Sequence, residues 1–311
     1  MSGRAQVGLV IAAAAALVAA CGARGKAAVR EFDGARAFTY LEQQVRFGPR
    51  IPGTAAHDSA GDWILARLRE RADTVIVQDI AHRTGAGQTI HMRNYLARFR
   101  PAAAERILYL AHWDTRPRAD QSQNLGAQRQ PVPGANDGAS GVAVLLGVAD
   151  ALRAKPPTVG VDLLFVDGED YGDFADSTAV LIGSRWFAAH QPAGYPPLFA
   201  VLFDMVGDRD LHLPYEQNSQ GFAPEVVDRV WQTADSIGYG GVFIRQPGPS
   251  LIDDHVALQR ANIHAIDVVD FDYGPNNGYW HTTDDTVDKV SAQSLQIVGD
   301  VALAVVRSAS R

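Results

Sequence analysis

The stretch Val161-Asp162-Leu163-Leu164-Phe165-Val166-Asp167-Gly168-Glu169-Asp170 sets the frame for the whole chain. Its first six residues are β-prone and apolar on both faces, as in a strand of a buried sheet, and three carboxylates follow within four residues. The same form recurs on either side. Residues 107–110 (Ile-Leu-Tyr-Leu) run into His112 and Asp114, and residues 201–203 (Val-Leu-Phe) run into Asp204. Residues 75–77, 95–99 and 265–269 read as further strands. Around them apolar residues recur at helical spacing. Phe38, Leu41 and Val45 mark one opening helix, and Trp63, Ile64, Leu65 and Leu68 mark a second. Residues 141–153, 184–190, 224–237, 255–260 and 292–308 read as the later helices. This alternation predicts an α/β fold, a three-layer sandwich with a mixed, largely parallel central β-sheet flanked by helices. No fixed-period repeat and no linker divides it.

Composition narrows what such a fold can do. The 311 residues carry 28 Lys plus Arg against 35 Asp plus Glu, a formal charge of −7, so the basic excess of a nucleic-acid binder is absent. Hydrophobic residues make up 47% and charged residues 20%, which supplies a packed core and excludes whole-chain disorder. The one cysteine, Cys21, excludes an intramolecular disulfide, a cysteine zinc cluster and an iron–sulfur site. Any metal must therefore be held by histidine and carboxylates. The chain contains no Gly-x-Ser-x-Gly elbow, no His-Glu-x-x-His and no phosphate-cradling Gly-x-x-x-x-Gly-Lys-Ser/Thr loop, which leaves metal-assisted chemistry.

In an open α/β sheet the ligand site lies beyond the carboxyl ends of the strands, where His112, Asp114, Asp167, Glu169, Asp170 and Asp204 fall. Loops and helix starts add Asp137, Asp253, Asp254 and His281. Singly, each has an ordinary structural reading. Asp137 in Gly-Ala-Asn-Asp-Gly suits a helix cap or a turn, and Asp253 and Asp254 suit a helix N-terminus. Glu169 and Asp170 read as solvated charges, His281 as a hydrogen-bonded loop histidine, and Trp280 as core packing. Jointly they bring acids and an imidazole to one rim, which is what zinc requires where thiolates are absent. His57, His82, His91, His190, His212 and His264 have no such placement and read as surface or packing residues.

The N-terminus reads as an address. Residues 7–20 form an alanine-rich apolar run behind Arg4, shorter than a span of about 20 residues and matching a secretory h-region. The run ends in Val18-Ala19-Ala20-Cys21, which resembles a bacterial lipobox. The expectation is a signal peptide over 1–20, a lipidated tether over 21–33 and a catalytic domain over 34–311. The domain would then be anchored through Cys21 to the outer membrane, facing the periplasm. Residues 119–134, polar and rich in Gln and Asn, read either as a lid or as a mobile surface loop.

Six ordered motifs carry a resemblance. AHWDTRP at 111–117, GANDGASG at 134–141, FVDGEDYG at 165–172, LFDMVGD at 202–208, DDH at 253–255 and YWHTTDDT at 279–286 resemble the zinc aminopeptidase and glutaminyl cyclase superfamily over residues 35–308. The resemblance implies Asp137, Asp170 and His281 as ligands of the catalytic zinc and Glu169 as the acid/base. It implies His112 and Asp204, with Asp137 bridging, as ligands of a second zinc in the aminopeptidase branch. Two residues match the cyclase branch instead. Asp253 stands where aminopeptidases usually have Ser, and matches a cyclase aspartate that hydrogen-bonds the residue matching Asp204. Trp280 matches a cyclase tryptophan that lines the substrate pocket, with Tyr273 and Tyr279 as further candidate walls. Asp170 in place of Glu, and Asp267 near a position where animal cyclases have His, depart from the animal pattern.

The implied activity is a glutaminyl-peptide cyclotransferase. It would use one Zn2+, act on peptide or protein N-termini, and work through Glu169, Asp204 and Asp253. The alternative implied by the same resemblance is a di-zinc aminopeptidase. A third reading is a catalytically silent, anchored binding protein on the same fold.

Overall fold

A computed structural model describes residue 1 and residues 30–309, apart from residues 177 and 194. The expected signal run and the candidate lipidation site Cys21 lie outside the described residues. Helices α1 (Gly34–Arg46) and α2 (Ala55–Arg69) open the domain, followed by strands β1 (Thr74–Arg83), β2 (Thr89–Phe99) and β3 (Arg106–His112). Helix α3 (Ala139–Ala154), β4 (Gly160–Val166), α4 (Ile182–Ala189), β5 (Phe199–Asp204) and β6 (Leu213–Tyr215) come next. The chain continues through α5 (Gln217–Phe222), α6 (Pro224–Ser236), β7 (Phe243–Pro247), α7 (Asp254–Arg260), β8 (Ala265–Val269) and α8 (Ala292–Ser308).

The central sheet has six strands in the order β1-β2-β4-β3-β5-β8. The run β4-β3-β5-β8 is parallel, and β2 and β1 are added antiparallel at one edge, so the sheet is mixed and largely parallel as the alternation predicts. Residues on alternate positions supply two apolar faces. Ile107, Tyr109, Ala111, Leu163, Phe165, Val201 and Phe203 pack toward α1, α3 and α8, while Leu108, Leu110, Leu164, Val166 and Leu202 pack toward α4 and α7. Each such Leu, Val or Phe side chain taken from water contributes about 1.5–3 kcal/mol. Asp162, the charged residue inside the deciding strand, is fully buried and matched by Arg106 at 2.7 Å, Arg98 at 3.2 Å and the Tyr195 hydroxyl at 2.8 Å.

Helix α3 is apolar nearly all round, because it lies between the sheet and α1 and α8. Gly141 makes that approach possible: a Cβ there would collide with the Phe203 carbonyl on β5. The expected tether ends earlier than 33. Phe32 is buried in a slot left by Gly147 of α3 and Gly299 of α8, and Glu31 pairs with Lys155 and Arg307. The folded unit therefore includes both residues. Asp33 caps α1, accepting from the Arg36 N–H at 3.0 Å. Among the described residues no helix is long and apolar enough to cross a membrane.

Register decides where the chemistry falls. His112 aligns with Val166 across β3 and β4, and Asp204 aligns with Val269 across β5 and β8. The residues that end or follow these strands therefore share one edge of the sheet.

Candidate metal centre and active site

Asp137 lies at the middle of the site with its two oxygens divided. Its Oδ1 is 3.1 Å from His112 Nε2, and its Oδ2 is 3.4 Å from His281 Nε2. His112 Nε2 is also 3.1 Å from Asp204 Oδ1, and His281 Nε2 is 3.3 Å from Asp170 Oδ1. Two triads result, His112–Asp137–Asp204 and Asp137–Asp170–His281, each with ligand atoms converging within 4.8 Å. They share Asp137 as a bridge.

Backbone donors hold these acids in place, and other carboxylates receive them. Asp285 accepts from the N–H groups of Asn136 at 2.8 Å and Asp137 at 3.2 Å, and Asp114 accepts from those of Glu169 at 3.1 Å and Asp170 at 3.2 Å. Arg50, fully buried and pushed down to about 10 by burial, donates to the carbonyls of Trp113, Pro133 and Gly134. It ties the end of β3 to the loop that carries Asp137. Gly138 turns that loop into α3 at a φ of +90°, and a Cβ there would press on the Asp114 carbonyl. His281 itself has a φ of +51°, a backbone strain held by its tight turn.

The donor set fits zinc. It offers imidazole and carboxylate and no thiolate, it brings the Nε2 atoms of His112 and His281 within 3.1–3.4 Å of carboxylate oxygens, and among the described residues it leaves the buried Asp170 Oδ2 without a hydrogen-bond partner. His112 and His281 are pushed upward by the surrounding acids in spite of burial. Burial opposes ionisation of Asp137, but the two histidines hold its carboxyl well below the usual range.

A cavity of about 380 Å³ opens over these groups, lined by Asp137, Glu169, Asp204, Asp253, Trp280 and His281 among others. Glu169 is buried, and burial followed by the charges of Asp253 and Asp170 pushes its carboxyl well above the usual range. Burial and then Asp204 do the same to Asp253, whose carboxylate also accepts from the Asp254 N–H at 2.5 Å and caps α7. Asp254 rises to about 7 and Asp267 rises well above the usual range, both first by burial. Trp280 stacks on His281 with centroids 3.9 Å apart and meets Phe271 edge-on at 4.9 Å.

Two expected wall residues fall elsewhere. Tyr273 is fully buried outside the cavity lining, its hydroxyl donating to Asp285 Oδ1 at 2.8 Å. Tyr279 packs edge-on against Tyr273 at 5.3 Å and borders a separate depression with Asp208 and Asp272. The turn at Asn276 and Asn277, both at positive φ, separates Tyr273 from Trp280, and Tyr279 turns its ring to Tyr273. The apolar wall is instead Phe271, Phe174, Leu251 and Ile252 beside Trp280.

Among the histidines that read as surface or packing residues, His57 is a packing residue with a polar task. It stacks on Trp113 at 4.2 Å and contacts Asp167 through Nε2 at 2.9 Å. His91, His190, His212 and His264 are exposed, and His82 is half-buried. The loop 119–134 is fastened rather than loose. Ala119 donates to Gln130, Val132 is buried and donates to Arg116, and Gln121 donates to the His281 carbonyl at 3.3 Å. Arg50, Arg116, Asp120 and Asp285 carry no signal of this role in the sequence. Their partners lie far along the chain or depend on a loop whose course the sequence does not show.

Peptidase family M28 matches residues 94–306, and the chain belongs to that family. Among solved structures, the glutaminyl cyclase of Porphyromonas gingivalis is 37% identical with a TM-score of 0.86, covering 90% of this chain and 99% of that one. A leucine aminopeptidase precursor from Bacteroides thetaiotaomicron is 35% identical with a TM-score of 0.85, covering 89% and 97%. The chain spans only 38% of the length of the aminopeptidase YwaD of Bacillus subtilis, to which it is 27% identical over 57% of its own length. The family, these neighbours and the paired triads support a zinc-dependent enzyme.

Proposed function

We propose that the protein is a glutaminyl-peptide cyclotransferase with one zinc on Asp137, Asp170 and His281. It would convert the N-terminal glutamine of peptides to pyroglutamate and release ammonia. The observation that carries this reading is Asp253, a buried acid that lines the cavity with Glu169 and Asp204 and is driven toward its protonated form by burial and by Asp204. A protonated Asp253 that turned its hydroxyl to Asp204 would offer that carboxylate a hydrogen bond in place of a second metal. The glutaminyl cyclases among the similar structures, and the glutaminyl-peptide cyclotransferase of Drosophila melanogaster at 23% identity over 80% of this chain, support the same choice.

Zinc, when bound, supplies Lewis acidity toward the side-chain amide carbonyl. The remaining work falls to this chain's own groups. Glu169, with its raised affinity for protons, takes the proton from the attacking α-amine and returns it to the departing amide nitrogen. Asp253, which lines the cavity beside Asp204, would steady that nitrogen. Trp280 and Phe271 wall the cavity and limit water, whose attack on the same amide would deamidate it.

The complete second triad of His112, Asp137 and Asp204 favours a second reading, a di-zinc aminopeptidase. Metal content measured alongside turnover of Gln-initiated and Leu-initiated peptides separates the two. One zinc and ammonia release are expected; two zincs and free leucine would replace the first reading with the second. We also propose export as a lipoprotein anchored at Cys21 to the outer membrane, on the periplasmic side. Metabolic labelling with a palmitate analogue, lost in C21A, tests the anchor.

A further inference from the structure

Arg116 joins a candidate zinc ligand to the loop beside it. Its guanidinium, 8% exposed, grips Asp120 with two bonds, Nε to Oδ1 at 2.9 Å and Nη2 to Oδ2 at 2.6 Å. Its Nη1 donates to Asp170 Oδ1 at 2.7 Å and to the Gly172 carbonyl at 3.2 Å. Asp170 Oδ1, the oxygen that lies 3.3 Å from His281 Nε2, is thus held directly by Arg116. Asp120, so held, places Oδ1 3.7 Å from His281 Nδ1, which is buried and has no hydrogen-bond partner among the described residues, while the neighbouring Gln121 N–H fastens the His281 carbonyl. An approach of about 0.8 Å would complete an Nδ1–H···O bond.

We infer that Asp120 is the carboxylate that fixes His281 as a metal ligand. By accepting from Nδ1–H it holds the proton on that nitrogen and presents Nε2, and Arg116 sets Asp120 and Asp170 at a common spacing. Asp120 and Arg116 are thus positioning residues, and the loop 119–134 is part of the metal centre's support. This inference rests on the zinc assignment in the proposed function and on neither choice of reaction.

The test is zinc affinity without substrate, measured on the purified protein by competition with a chromophoric chelator. D120A should raise the zinc Kd by about 10–100-fold, and D120N, which keeps an acceptor oxygen in place, should recover most of that loss. Melting of the metal-free proteins reports folding separately, and D120N carries the test if D120A melts early. D120A binding zinc within twofold of the wild type, or D120N binding as weakly as D120A, overturns the inference. A wild-type chain that takes up no zinc removes the zinc assignment itself, and shows before any variant is made.

Discussion

At the scale of single residues, the contrast is between groups that face the cavity and groups that hold them. Glu169 faces it, so E169Q should lower kcat by about 10²–10⁴-fold while zinc content stays at the wild-type level; retained turnover would refute its proton-transfer role. Because burial and neighbouring acids raise its proton affinity, Glu169 ionises above the usual carboxylate range. Activity should therefore climb with pH along a limb displaced upward from that of a free glutamate. Trp280 and Tyr273 should separate cleanly. W280A should reduce kcat/KM by about tenfold with little change in melting, since the ring is half-buried on the cavity wall. Y273F should leave KM alone and cost about 1–3 kcal/mol of stability, because its hydroxyl serves Asp285 behind the site. Closeness in sequence to Trp280 does not give Tyr273 a place on the wall. The turn between them was invisible because it depends on left-handed Asn backbones rather than on side-chain pattern.

At the scale of elements, the strands were legible where both faces are buried, since β3, β4 and β5 are apolar runs that end abruptly in acids or histidine. The β6–β7 pair and α5 were not. β6 is three residues long with Pro214 at its centre, and β7 exposes its last three residues, so neither shows a period. The support of the site was equally hidden, because Asp285 reaches Asn136 across a separation of 149 residues and Arg50 reaches Gly134 across 84. Packing of α3 gives a direct check. G141A places a methyl group against the Phe203 carbonyl, one residue before Asp204, and should cost about 3 kcal/mol, read as a lowered denaturation midpoint. An unchanged midpoint would mean that α3 and β5 do not meet as closely as described.

For the whole molecule, one rim gathers an unusual number of protons. Asp170, Asp254 and Asp285 are each pushed up to about 7 by burial, and Glu169, Asp253 and Asp267 also rise. Asp137 moves the other way, but the sum leaves the folded state holding more protons than the unfolded chain between about pH 4 and 7. Each raised group contributes stability that is lost as pH climbs through its folded value. The metal-free protein should accordingly melt on the order of 5 °C lower at pH 8 than at pH 5, and added zinc should offset that fall at pH 8. A metal-free Tm that rises over the interval would contradict the buried-acid rim. The fold class itself was plain in the sequence, because strand and helix alternate; the balance of charge at the rim was not, because it depends on burial that only the assembled layers create.

Whether this chain cyclises glutamine is decided by zinc content of the purified protein, prepared without chelator, together with ammonia release from a Gln-initiated peptide and leucine release from a Leu-initiated one. A one-zinc cyclotransferase should hold one zinc per chain, release ammonia from the first peptide and leave the second intact. Two zincs per chain with free leucine and no pyroglutamate would contradict that assignment.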